Sequence, residues 1–157
     1  MKVPIKHAIE SGAWFHCTSF VGLEMYEFRL KILSFTKIAL DEIDEPFKID
    51  ANRFDLEEGD FGLLKFQMVN LAKAQIGTEI IATLQILDHD EFQYAPILED
   101  HLCVYSKFAQ TSGLSKMVLS SDLFPKIKCA YSCAYFLPKE DNAEYYLAVA
   151  CGDIQEV

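Results

Sequence analysis

The chain has 157 residues, of which 51% are hydrophobic and 24% are charged. This size and composition are typical of one globular domain, and we predict a single domain over residues 1–157. The formal net charge of −10 argues against a nucleic-acid partner, because binding to phosphates requires clustered Lys and Arg. No apolar stretch approaches the roughly 20 residues needed to cross a bilayer, so we also predict no membrane span.

The cysteines favour a reducing compartment. Their number is odd and their spacing is irregular, which is typical of free thiols. No long apolar run or small-residue cleavage site follows the positively charged N-terminal residues, so no signal peptide is predicted. We therefore expect a cytoplasmic protein; the alternative is export, with the signal peptide missing from this chain. The five residues are Cys17, Cys103, Cys129, Cys133 and Cys151.

Helix signals are few. Residues 4–11 begin with a proline and are followed by Gly12, which predicts a short N-terminal helix. A second helix is predicted at residues 115–123.

Strand signals dominate, because apolar and polar residues alternate with a period of two in six segments. Residues 138–143 form a short polar link that predicts either a hairpin or a corner between two sheets. This spacing of strands, without alternating long helices, favours a mostly β fold, a two-sheet immunoglobulin-like sandwich with a short N-terminal helix. The predicted strands are residues 14–20, 25–36, 61–71, 80–87, 126–137 and 144–151. The predicted core contains Phe28, Leu30, Leu64, Phe66, Leu84, Ile86, Tyr131, Tyr135, Leu147 and Val149.

Three segments carry a resemblance to a known family. The first is a strand that ends in Asn70, and the second is a strand that closes on Asp88 and continues through a turn to Tyr94. The third runs from Pro125 to Pro138 and on into a final strand. Together they resemble an immunoglobulin-like family of unknown function that is common in exported lipoproteins of Gram-positive bacteria. The resemblance implies this fold and a bacterial origin, but it implies no catalytic residue because the family has no agreed activity.

The two cysteines at positions 129 and 133 are interpreted as buried and unreactive. In a strand they lie about 13 Å apart, whereas a disulfide requires Cα atoms within about 7 Å. His16 and Cys17 are adjacent, so a strand sends them to opposite faces and they cannot share one metal ion.

The acidic region around His89 and His101 is the other candidate for chemistry. His89 lies between two aspartates and His101 follows Asp100. Such side chains bind divalent metals or act as acid–base pairs when they converge. The alternative, which we favour, is an exposed turn with its usual aspartates. We therefore predict no catalytic residue, no metal ligand and no cofactor.

Two further patterns concern the surface. The acidic runs at 41–45 and 55–60 are predicted to be solvated loops, because neither has the ligand spacing of a calcium loop. The pairs Trp14-Phe15 and Tyr145-Tyr146 each send one ring inward in a strand, and the outward ring is a candidate anchor for a partner.

These observations predict a non-enzymatic protein-interaction or binding module. In a sandwich, an exposed sheet face or edge strand can recruit another protein or a second copy of the chain. The alternative is a small metal-dependent protein or enzyme that uses the region of His89 and His101. Convergence of those side chains in one pocket would favour this alternative.

Overall fold

The computed structural model describes residues 1–38, 54–97, 123–140 and 142–157, with the backbone alone at Ile38, Thr78 and Glu79. Within these ranges the chain forms nine strands, one α-helix and one 3-10 helix. In chain order the elements are β1 Lys2–Pro4, α1 Ile5–Ser11, β2 Phe15–Val21, β3 Glu24–Ile38, β4 Gly59–Asn70, the 3-10 helix Thr78–Thr83, β5 Leu84–Leu87, β6 Gln93–Tyr94, β7 Lys128–Pro138, β8 Tyr146–Val149 and β9 Gly152–Glu156.

The strands form two antiparallel sheets. The larger sheet has the order β7-β4-β3-β2-β9, and the smaller sheet has the order β1-β8-β5-β6. The helix α1 connects β1 of the smaller sheet to β2 of the larger one. The predicted mostly β, two-sheet sandwich with a short N-terminal helix is confirmed; its immunoglobulin-like type stays a prediction.

The core lies between the sheets, as the alternation predicts. All ten predicted core residues are buried, and each is at most 6% exposed. They belong to one apolar cluster that draws on both sheets. The Tyr135 hydroxyl joins the two sheets by donating a hydrogen bond to the Leu84 carbonyl at 2.8 Å. Alternation thus identifies the shared face correctly.

The fourth predicted strand was too long. Only Leu84–Leu87 is extended, and Thr78–Thr83 before it is a 3-10 helix. The side chains of Ile80 and Ile81 are both buried, which a strand with one buried face does not allow for consecutive residues. The Thr83 hydroxyl donates to the Ile80 carbonyl at 2.6 Å and stabilises the helical turn.

Other boundaries also differ from the predictions. The link after β7 leads to β8 in the other sheet, so the corner is right and the hairpin is wrong. The last predicted strand divides at Cys151, which has a φ of 52°, and β9 follows. The predicted helix at 115–123 lies outside the described residues except for Leu123, which is buried.

A β-bulge in β3 sets the orientation of Phe35. The register between β3 and β4 shifts between Ile32 and Ser34. Because one extra residue reverses the side-chain alternation, Phe35 comes to lie opposite Leu64 on the inner face.

Candidate functional site

A groove lies at one end of the sandwich, where the two sheets differ in length. The strands β3, β4 and β7 have 15, 12 and 11 residues, whereas no strand of the smaller sheet exceeds 4. The inner face of the long strands therefore extends past the smaller sheet. Two adjoining cavities of about 680 Å³ and 300 Å³ occupy this position. Both are lined by Phe35, Asn142, Ala143 and Tyr145, and we call the pair the end groove.

The helix α1 walls one cavity and the ends of the long strands wall the other. The larger cavity is also lined by Ile5, Lys6, Ile9, Glu10 and Glu144. The smaller cavity is also lined by Thr36, Lys37, Asp60, Phe61, Gly62, Leu137, Pro138 and Glu140.

The ring of Phe35 forms the shared wall. It packs edge-to-face against Tyr135 in the core, with centroids 6.3 Å apart, and against Tyr145, with centroids 6.2 Å apart. A Cβ atom on Gly62 would lie 2.8 Å from two carbons of the Phe35 ring. The missing side chain at Gly62 therefore lets the ring lie across β4, and the wall is anchored to the core.

Charged side chains surround this aromatic wall. Asp60 Oδ2 lies 3.4 Å from Lys37 Nζ, and Lys6 Nζ lies 4.0 Å from Glu10 Oε1. Glu140 and Glu144 have no ion-pair partner among the described residues. Each cavity is thus lined by one lysine and two carboxylates, so the end groove is acidic.

A buried aspartate stands at the same end of the smaller sheet, directly after β5. The two oxygens of Asp88 accept hydrogen bonds from the Asp90 and Phe92 amides, at 2.9 and 3.0 Å, and from the Tyr94 hydroxyl at 3.1 Å. Burial and this neighbouring carboxylate raise the pKa of Tyr94 to about 12. Tyr94 therefore remains a neutral hydrogen-bond donor across the physiological range.

The pKa of Tyr145 is also raised by burial and by nearby carboxylates. Its pKa is raised above the ordinary value by burial and then by the negative charges of Glu140, Asp88 and Asp60. The carboxylates at this end thus produce a negative potential at the Tyr145 ring.

The histidine candidate from the sequence does not lie in the end groove. His89 is exposed in the turn after β5, and its Nε2 is 3.3 Å from the Asp90 carboxylate beside it. His101 lies outside the described residues. Within the parts of the chain that the structure describes, no group of three or more His, Cys, Asp or Glu side chains is arranged to hold a metal ion.

None of the four described cysteines belongs to a disulfide. Cys129 and Cys133 lie on β7 opposite Met68 and Leu64, as the strand interpretation predicts. Cys133 is buried as predicted, but Cys129 is only partly buried, so that part of the prediction is wrong. Cys17 is fully buried, and burial, with a smaller contribution from Asp153, raises the pKa of its thiol to about 12. Cys17 and Cys133 are therefore packing groups, whereas Cys151 is exposed.

Strand alternation also holds at His16, whose imidazole lies 3.0 Å from Glu27 on the face opposite the buried Cys17. In the acidic run at 55–60, the side chains are exposed up to Glu58, as predicted for a solvated loop, while Asp60 contributes to the end groove. The run at 41–45 lies outside the described residues.

The opposite end of the larger sheet carries an apolar hairpin tip between β2 and β3. Phe20, Leu23 and Met25 are all more than half exposed there. Exposed apolar side chains are common on protein surfaces, and these three line neither cavity of the end groove, so the tip is the weaker candidate for a binding site.

Sequence patterns identify only part of the end groove. Tyr145 belongs to an aromatic pair that the sequence singles out, and it lines the groove while Tyr146 contacts Lys2, whose Nζ is 4.4 Å from the ring centroid. The sequence pattern does not identify Phe35, because the bulge reverses the side-chain alternation of β3 before this residue. The one signal for such a bulge in the sequence is an aromatic residue near the end of a long strand, at a position where alternation would place it on the outer face.

Comparison with known proteins supports the fold and nothing finer. No family model matches this chain, and no curated protein matches it. One solved structure, a conserved hypothetical protein from Bacillus anthracis, is similar with a TM-score of 0.53 over 91% of this chain and 96% of that chain. The identity is 11%, so the likeness shows a shared fold alone. None of the helices in the described ranges has the length and hydropathy needed to cross a membrane.

Proposed function

We propose that the protein is a non-enzymatic binding module and that the end groove is the surface that engages a protein partner. The observation that carries this proposal is the pair of adjoining cavities with one shared aromatic wall. Ligand sites are typically concave, mostly apolar and equipped with a few polar groups at fixed positions. Aromatic side chains also dominate the energetics of protein interfaces.

The sheet edges, which the sequence also suggested, are less suited to a partner. The outer edge of β9 is blunted, because the Asp153 carboxylate accepts the Ile154 amide at 2.9 Å and the N-terminal amine of Met1 lies 3.6 Å from the same carboxylate. At the β7 edge, the Ile97 amide donates to the Ala134 carbonyl at 2.8 Å. The remaining edge strands, β1 and β6, have three and two residues. Short and occupied edges resist strand addition.

The motifs behind the family resemblance have structural roles. Asn70 and Asp88 are both buried, and each closes a turn with three hydrogen bonds. These contacts support the proposal that the chain is a distant relative of the immunoglobulin-like family of exported lipoproteins. The free thiols favour the cytoplasm as the proposed location of this chain.

An affinity pull-down with a filled groove tests the proposed function. Ala143 lines both cavities, so Ala143→Trp fills them without removing a core side chain. Ala74→Trp is the matched control, since Ala74 is exposed near Asn70 and lines neither cavity. The wild-type chain and Ala74→Trp should retain a common partner from extract of the source cell, and Ala143→Trp should lose it. Equal capture by all three proteins, or capture by none, would refute the proposal.

A further inference from the structure

We infer that the end groove recognises a basic side chain, the ammonium of a lysine or the guanidinium of an arginine presented by the partner protein. This inference rests on the proposed function and adds the chemistry of the ligand. It is carried by two features of the groove, the aromatic wall and the charge of its lining.

The aromatic wall offers the π surface that cations prefer. The rings of Phe35 and Tyr145 both line the larger and the smaller cavity, and they meet at an interplanar angle of 89°. Perpendicular rings give a guest one face and one edge to contact. An ammonium or guanidinium group within about 6 Å of such a ring is attracted to its negative face.

The neighbouring residue shows the same contact within the chain. Lys2 Nζ lies 4.4 Å from the centroid of the Tyr146 ring. Tyr146 follows Tyr145 in the chain, so the two rings point to opposite faces. One tyrosine of the pair thus already holds an ammonium group, and the other one faces the end groove.

The charge of the lining favours a cation over an anion or a neutral guest. Each cavity is lined by two carboxylates and one lysine, and both lysines are already paired, Lys6 with Glu10 and Lys37 with Asp60. Asp60 also lies 3.9 Å from Lys139. Glu140 and Glu144 stay unpaired among the described residues, so one carboxylate in each cavity is available for a cationic guest.

The electrostatics of Tyr145 are consistent with this arrangement. Burial, and then the negative charges of Glu140, Asp88 and Asp60, raise the pKa of its hydroxyl. An anionic guest would meet the same negative potential and would be repelled. The groove therefore selects by charge as well as by shape.

A titration with small probes tests the inference directly. The probe is N-acetyl-lysine methylamide, and its neutral counterpart is N-acetyl-norleucine methylamide, which has the same chain length without the ammonium. Both are added to the labelled protein while backbone amide shifts are followed by NMR. We expect the lysine probe to shift the amides of Phe35, Ala143 and Tyr145 with a dissociation constant on the order of millimolar. The norleucine probe should bind at least several-fold more weakly.

A variant that lacks the two unpaired carboxylates separates the contribution of their charge from that of the aromatic wall. The double substitution Glu140→Gln and Glu144→Gln should lower the affinity for the lysine probe about three- to tenfold. Glu24→Gln, at the opposite end of the sandwich, should leave its affinity unchanged. Both variants alter exposed side chains, so each should keep the fold, which the amide spectrum verifies.

Each outcome of these experiments either supports or overturns the inference. Equal binding of the two probes, no shift in the groove, or no effect of the double substitution would overturn it. A partner lost on Ala143→Trp in the pull-down, together with a lysine probe that does not bind, would leave the proposed function intact and reject the basic side chain. A lysine probe that binds while no partner is captured would establish the cation site and reject the proposed function.

Discussion

Asn70 closes one end of the sandwich with three hydrogen bonds, whereas Phe35 and Tyr145 leave a groove at the other. The Asn70 side-chain amide donates to the carbonyls of Ala74 and Leu123, both at 2.9 Å, and its oxygen accepts the Ala72 amide at 2.8 Å. Asn70 is completely buried, so its hydrogen-bonding capacity is used to close the protein.

At the groove end, the side chains are less buried than Asn70. Phe35 and Tyr145 are only partly buried, and their rings border open space. Buried, fully bonded polar groups are expensive to disturb, while partly exposed rings contribute less to folding. The comparison predicts that stability concentrates at the closed end, and the proposed function assigns binding to the open end. The following predictions test this division.

Of the two ends of the sandwich, the closed end is expected to show the larger effect on stability. Asn70→Ala should lower the free energy of unfolding by about 3 kcal/mol, because it removes the three hydrogen bonds of a completely buried side chain. Urea denaturation measures the change. Gln75→Ala is the control, since Gln75 is exposed a few residues further on, and it should change stability by less than about 0.5 kcal/mol. Similar values for the two variants would show that Asn70 does not hold this end together.

A smaller effect is expected for the aromatic wall. Phe35→Ala should lower the free energy of unfolding by about 1–2 kcal/mol, since the ring is partly exposed. Phe66→Ala makes the same change in the core, where the ring is fully buried, and should cost about 3–5 kcal/mol. If Phe35→Ala costs as much as Phe66→Ala, the groove end is part of the core and the comparison fails.

The buried carboxylate near the groove predicts a dependence on alkaline pH. The pKa of Tyr94 is about 12 in the folded state and about 10 in the unfolded chain. A raised folded pKa contributes stability that is complete below pH 10 and is lost as the pH rises through 12. Tyr94→Phe removes this contribution, so the variant should lose less stability than the wild type between pH 10 and 12. Parallel stability curves over that interval would contradict the hydrogen bond between the partly buried Tyr94 hydroxyl and Asp88.

Chemical modification of the thiols is the test that perturbs the fold least. Cys17 is buried with a pKa of about 12, whereas Cys151 is exposed in the turn before β9. Because the thiolate is the reactive form, iodoacetamide at pH 8 should modify Cys151 far sooner than Cys17 in the native protein. Peptide mass spectrometry assigns each site, and urea should make both react. Early modification of Cys17 under native conditions would show that the inner face of β2 opens readily.

The sequence predicts the core better than it predicts the groove. Alternation identifies the inward-facing core residues of β4 and β7 correctly, but it does not predict that residues 61–64 and 130–135 are buried on both faces. It fails at Phe35, where the bulge adds a residue, and at Ile80, where consecutive apolar residues resemble a strand but form a 3-10 helix. It also misses β9, in which Ile154 is the one buried side chain.

The end groove itself depends on a difference that local patterns do not contain. It exists because the strands of one sheet are longer than those of the other, and because the link after β7 crosses between them. Asn70 and Asp88 are visible in the sequence as strand-ending polar residues, but their hydrogen bonds reach residues as distant as Leu123. Sequence reasoning therefore locates the polar turns without showing which end of the sandwich stays open.

The central claim is that binding takes place at the open end, and hydrogen–deuterium exchange with and without the captured partner tests it most directly. The partner should slow exchange at residues 35–38, 59–62 and 142–145, which border the end groove. Exchange at residues 70–76 and at the hairpin tip, residues 20–25, should stay the same. Protection of residues 70–76 or 20–25, with no change around the groove, would place the binding surface at the closed end and contradict the account.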